Sequence, residues 1–328
     1  MRRRLLLLAV ILSVPSGCDN VRWGGVDMRL QAPPSQSEVA PASVVEPEVE
    51  PSLPQLPAGP ILLAGSRDGD RATLVVVGEV RGEALRALPT EEQVPGFQDH
   101  FTRTVLAPGT ELVLFSEGVR VGRLTVTEAV SDPRFCAPRP QVTGLVEMVP
   151  GASAAQNLLA LTDTAAKRRP WGQFRSLQHD YDQRVASIAL ATAAIPRVGA
   201  PWPPSLVESR ADIQAFRLPE AAGPSVAATF LLADRLEVAD PGPGAYAVFV
   251  LGTLEGGAYR SSYVGFRRAD TEGKGAPRYF SHLDWDADGD SEVLLDVLGA
   301  DTRWFASLGQ RGGAWVQTFQ DPCGEPTG

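Results

Sequence analysis

Glycine-bearing turns punctuate this chain at short intervals, and many of the apolar runs between them are too short to be helices. Residues 72–77, 112–116, 226–232 and 245–251 are runs rich in Val, Leu, Phe and Ala with turn residues close by. Runs of that length with such boundaries read as strands. Residues 110–130 read as a hairpin, with arms 112–116 and 119–130 and the turn at Glu117-Gly118. Val119 and Val121 share a parity that Leu124 and Val126 do not, so Gly122 marks a β-bulge. Further strands are expected at 142–149 and 260–268. A meander follows at 292–298, 302–308 and 314–319, with turns at Gly299-Ala300-Asp301 and 309–313. Its aromatics Trp304, Phe305, Trp315 and Phe319 read as core packing, the alternative being a platform for a ligand.

Two segments carry helix signals. Ser153-Ala154-Ala155-Gln156 matches a capping box, and Lys167, Arg168 and Arg169 before Pro170 suit a helix C-terminus. From Asp180 to Ile195, Tyr181, Val185, Ile188, Thr192 and Ile195 recur at helical spacing and define the expected core face. Ala200 to Pro204 reads as a junction. The expected fold is mainly β with some helix, α+β in class, built from antiparallel sheets and a meander. Two β-rich domains are expected, 61–175 with one helix and 176–323 of α+β character.

The N-terminus reads as an export signal. Arg2, Arg3 and Arg4 precede an apolar run at 5–14, and Ser16-Gly17 lead into Cys18. The run is about ten residues, against roughly 20 for a membrane-spanning helix. This resembles a bacterial lipoprotein signal, although Pro15 stands where such signals prefer Leu. The resemblance implies that residues 1–17 are a signal peptide and that Cys18 becomes the lipid-modified, palmitate-bearing first residue; ordinary cleavage is the alternative. Residues 18–60 then form a lipid anchor and a Pro/Glu-rich spacer that cannot bury an apolar face. The expected location is the bacterial cell envelope, on the periplasmic face or the cell surface, with the membrane as partner through the anchor.

Composition narrows the function classes. A net charge of −9 argues against a nucleic-acid partner, because phosphate binding needs clustered basic charge. With Cys18 lipidated, Cys136 and Cys323 remain as an even pair in an oxidising compartment, and a disulfide is expected; two buried thiols are the alternative. No nucleophile elbow, P-loop, zinc-protease or dinucleotide motif is present in the sequence.

One internal segment carries chemistry. Asp284, Asp286, Asp288, Asp290 and Glu292 alternate along a short loop, with Gly289 where a tight turn needs positive φ. Convergent carboxylates suit Ca²⁺, a hard cation that takes six to eight oxygens. Leu295 occupies the position of the closing EF-hand glutamate, and a strand is expected there, so an EF-hand is excluded. A solvated acidic turn and a catalytic acid cluster are the alternatives. The spacing resembles the D-x-D-x-D-G-x-x-[D/E] loops of FG-GAP and VCBS-type repeats, over residues 279–319. The resemblance implies one structural calcium ion before a strand. Arg67-Asp68-Gly69-Asp70 echoes the pattern without its first two acids and reads as a plain turn. His282, beside the acids, reads as a packing residue rather than a transition-metal ligand. The functional expectation is a lipid-anchored binding or structural module with a calcium-stabilised β domain and an envelope protein or polysaccharide as partner. The alternative is a secreted hydrolase using the Asp284–Glu292 acids.

Overall fold

The computed structural model describes residues 53–135, 137–162, 166–169 and 171–322. Cys18, Cys136 and Cys323, the signal segment and most of the spacer lie outside these residues. Strand accounts for 48% and helix for 15%, so the mainly β, antiparallel expectation holds.

The first sheet contains β1 (Ile61–Asp68), β2 (Arg71–Arg81), β3 (Ala84–Arg86), β4 (Glu111–Ser116), β5 (Val119–Asp132), β6 (Arg139–Met148) and β7 (Asn157–Leu161). Its order is β1-β7-β4-β5-β6-β2-β3, and β1 also pairs with β2. The sheet therefore closes on itself as an antiparallel barrel, with β3 hung from β2. Alternation decides which side chains fill it. Leu63, Leu74, Val76, Leu114 and Leu158 enter the barrel, where α1 (Phe97–Val105) adds Phe97 and Phe101. Their neighbours Leu62, Val75, Val77, Phe115 and Leu159 point outward into a second cluster. The β4–β5 hairpin turns at Glu117-Gly118, and its register shifts where Leu114 pairs Gly122 and Phe115 pairs Arg120, which leaves Val121 as the bulged residue.

The helix expected after Ser153 does not form. Pro150–Ala152 make a 3₁₀ turn, and β7 follows at Asn157–Leu161. The Leu-Leu-Ala-Leu run fills the gap between β1 and β4, and it buries residues on both faces at a period of two. Barrel closure outweighs a local capping pattern here.

Two more sheets follow. α2 (Tyr181–Arg197) and α3 (Leu206–Ser209) precede a sheet of β8 (Arg210–Phe216), β9 (Ser225–Leu232), β10 (Tyr246–Glu255) and β11 (Ala258–Arg268). α4 (Ala269–Glu272) leads to the third sheet, a meander of β12 (Ala276–Leu283), β13 (Glu292–Leu298), β14 (Arg303–Arg311) and β15 (Ala314–Gln320). The third sheet is covered on both faces. Leu294, Phe305 and Phe319 pack on the barrel exterior, and Val293, Leu295 and Trp304 pack on the second sheet. β13 is therefore buried along its whole length, and its mid-strand charge, Asp296, is paired with Arg278 and Arg303. The four aromatics of the meander pack as core residues, Trp315 only partly buried.

α2 covers the outer face of the second sheet. Asp180 caps it through a full capping box with Gln183. The buried face differs from the expected one. Ala186, Leu190, Ala191, Ala194 and Ile195 face the sheet, while Tyr181 and Val185 are exposed. Small side chains let the helix sit close: a Cβ on Gly252 of β10 would stand 2.5 Å from Leu190. The polar members of that face are satisfied, Gln183 Nε2 donating to the Tyr259 hydroxyl at 3.0 Å and Ser187 Oγ to the Arg184 carbonyl at 2.9 Å.

Candidate metal centre

The acid loop joins β12 to β13, neighbours in the third sheet. Its backbone is folded by its own carboxylates. Asp286 Oδ1 accepts from Asp288 N at 3.2 Å, Asp284 Oδ2 from Gly289 N at 3.2 Å, and Asp288 Oδ1 from Asp290 N at 2.9 Å. Ala287 and Gly289 take positive φ, 67° and 103°, which lets the chain double back within so few residues.

Three outside contacts hold the loop. Trp285, between the first two acids, is 2% exposed and joins the cluster that packs on the barrel. Arg169 donates to the Asp284 carbonyl and, at 3.0 Å, to the Trp285 carbonyl. On the other side Glu220 accepts from Ser291 N at 3.2 Å and Ser291 Oγ at 3.1 Å. Neither Arg169 nor Glu220 was legible as a partner of the loop. The buried Trp285 carried a signal, since a large aromatic between alternating acids must turn away from them.

Carboxylate oxygens of Asp284, Asp286 and Glu292 lie within 4.8 Å of one another, the one such group among the described residues. Asp288 and Asp290 are exposed and stand outside it. Asp284 Oδ1 and Asp286 Oδ2 are buried without a hydrogen-bond partner. Glu292 Oε2 accepts from Trp285 N at 3.2 Å. Burial, reinforced by the charges of Asp286, Asp284 and Asp288, pushes the Glu292 carboxyl up to about 9. Burial also raises Asp286. Three carboxylates converging where water is partly excluded are unfavourable unless a proton or a cation joins them. The donors are all oxygen, two of them lacking any other partner, and this set fits a hard divalent cation.

His282 is not part of this group. It is fully buried, its Nδ1 lies 2.7 Å from the Tyr279 hydroxyl and 3.9 Å from Glu117, and its ring sits 5.3 Å from Phe216. Burial lowers its pKa to about 4, so it packs as a neutral ring. Asp68 and Asp70 lie exposed at the β1–β2 turn, apart from the group. No family model, curated protein or solved structure matches this chain.

Proposed function

We propose that this chain is a lipid-anchored protein of the bacterial cell envelope, a binding or structural module whose β body is stabilised by one calcium ion. Asp284, Asp286 and Glu292 hold the ion, which supplies positive charge where three converging carboxylates, one buried and two half-buried, would otherwise repel. One observation carries the reading: two buried carboxylate oxygens in that group have no hydrogen-bond partner. The lipid anchor rests on the Arg2–Cys18 pattern alone, and among the described residues no helix is long and apolar enough to cross a membrane.

The disulfide between Cys136 and Cys323 has support from their neighbours. The Phe135 ring packs tilted against Phe305, centroids 5.3 Å apart, and Asp321 N donates to the Phe305 carbonyl at 3.0 Å. Arg139 also pairs with Asp321. Residues flanking both cysteines thus meet at one residue, Phe305.

Calcium titration by calorimetry, paired with melting curves in calcium and in chelator, tests the reading. Calcium raises the melting temperature of the wild type, Asp286→Asn loses the response, and magnesium substitutes poorly because it demands a tighter octahedral shell. A wild-type curve that calcium leaves unmoved, with no heat of binding, overturns the metal site. Mass spectrometry of the mature N-terminus reads the anchor as a diacylated or triacylated Cys18, and non-reducing peptide mapping reads the cross-link.

A further inference from the structure

A slot of about 220 Å³ lies between the second and third sheets, at the side where their edge strands β11 and β15 run. Glycines keep it open. A Cβ on Gly265 would stand 3.2 Å from Tyr263 Cε1 and 3.5 Å from the Tyr263 hydroxyl. One on Gly275 would stand 2.6 Å from Arg267 Cδ and 3.1 Å from Trp304 Cζ2. The walls are aromatic: Phe249, Tyr263, Phe266 and Trp304. An apolar cavity of about 150 Å³ takes benzene, so this space suits one substituted six-membered ring.

The polar groups around the slot say what kind of ring. Arg267 is committed to backbone, donating to the Gly273 carbonyl at 2.9 Å and to the Glu272 carbonyl. Glu272 itself accepts from Arg268 N at 2.9 Å. The Arg267 guanidinium, which also lies 5.4 Å over the Trp304 ring, and the Glu272 carboxylate are opposite charges that offset each other and already hold hydrogen bonds, which disfavours an ionic ligand. The Tyr263 hydroxyl, on a half-buried ring, makes no hydrogen bond with the described residues. Two neutral amides, Gln317 and Gln320, flank the same space and meet each other at 3.0 Å. A pocket hydroxyl that no protein group engages can exchange its water for a ligand hydroxyl. A pyranose combines the required features, with C–H faces that stack on aromatic rings and hydroxyls around its edge. A plain aromatic ring would displace that water without replacing its hydrogen bond.

We propose that the slot between β11 and β15 binds a single sugar ring of an uncharged glycan, with Tyr263, Gln317 and Gln320 reading its hydroxyls. The envelope reading above supplies only the source of that glycan; the slot shares no residue with the acid loop.

The test titrates the full chain with methyl glycosides of glucose, galactose, mannose and N-acetylglucosamine, with benzyl alcohol as the aromatic comparator, by calorimetry and saturation-transfer NMR. At least one glycoside should saturate with a Kd on the order of 1 mM. Tyr263→Phe should weaken it roughly tenfold without moving the melting curve, because the lost hydroxyl has no partner in the free protein. Gln317→Ala, at an exposed site, should weaken it several-fold. No saturable binding by folded wild type, binding indifferent to both variants, or binding of benzyl alcohol alone overturns the proposal. Melting curves with and without calcium on the same sample separate the two readings. A calcium response without glycoside binding sinks the slot alone, and the reverse sinks the metal loop alone.

Discussion

Two acidic, glycine-bearing turns join antiparallel neighbours in this protein, and only one of them gathers its carboxylates. Asp68-Gly69-Asp70, between β1 and β2, closes at once on the Asp68–Arg71 pair and leaves both acids exposed. The longer loop before β13 buries Trp285, and three carboxylates follow it out of full contact with water. Gly69 and Gly289 both take positive φ, so the glycine is common to the two. The difference lies in the apolar anchor. Acids become a candidate site where a neighbouring side chain draws the backbone inward and the strand that follows, here β13, is buried on both faces.

If that is right, removing the anchor has the largest effect. Trp285→Ala should destabilise by about 3–5 kcal/mol, the range for truncating a buried aromatic. Asp68→Ala and Asp70→Ala should stay within about 0.5 kcal/mol of wild type. Urea midpoints at constant m-value measure both. Equal losses at the two turns would break the comparison.

Acid should separate the ground beneath the loop from the rest. His282 has a folded pKa near 4 against 6.5 when free, so the folded state favours its neutral form. Its contribution is full above pH 6.5 and is lost as pH falls toward 4, about 3 kcal/mol in all. Glu117 works the other way. Burial pushes its carboxyl up to about 7 from 4.5, so its contribution grows as pH falls across that window. The histidine's share is read as the difference in pH slope between wild type and His282→Gln. A variant with the wild-type slope would show that His282 does not carry it.

Arg169 sharpens the comparison on the binding side. It touches no carboxylate of the triad and acts only through the Asp284 and Trp285 carbonyls. Arg169→Ala should cost about 1.5 kcal/mol of stability, the lower range for a hydrogen bond from a charged donor, and weaken calcium several-fold. Arg169→Lys keeps the charge but not the two-pronged reach, and should recover only part. Unchanged calcium affinity in Arg169→Ala would mean that the loop is set by its own turns.

The strands were legible because their apolar runs are short and bounded, and the β4–β5 bulge because alternation changes phase at Gly122. β7 was not. Its capping pattern and basic tail satisfy every local helix rule, and only the gap between β1 and β4 makes Asn157–Leu161 a strand. On α2 the helical span was readable, but large apolar side chains suggested the wrong face. Alanines win because a close helix–sheet approach buries more than Tyr181 and Val185 could at a distance. Asp284, Asp286 and Glu292 stood out by spacing, and spacing also included Asp288 and Asp290, which the doubled-back loop leaves in solvent. Arg169 and Glu220 come from far along the chain, where no local pattern points to them.

The smallest effect is expected at Asp288, and it is the sharpest check on which acids count. Sequence spacing ranks Asp288 with Asp286, but the geometry does not. Asp288 Oδ1 is engaged by Asp290 N at 2.9 Å and the residue is exposed, whereas Asp286 Oδ2 is buried and unpartnered. Asp288→Ala should therefore stay within about 0.5 kcal/mol of wild type without metal. It should weaken calcium only about two- to threefold, through loss of a nearby charge screened by water. Asp286→Ala should abolish the calcium response. Calorimetry on the two variants side by side decides between them. Equal losses of affinity would mean that the loop rearranges to bring Asp288 onto the ion, and that the spacing was the better guide to the ligand set.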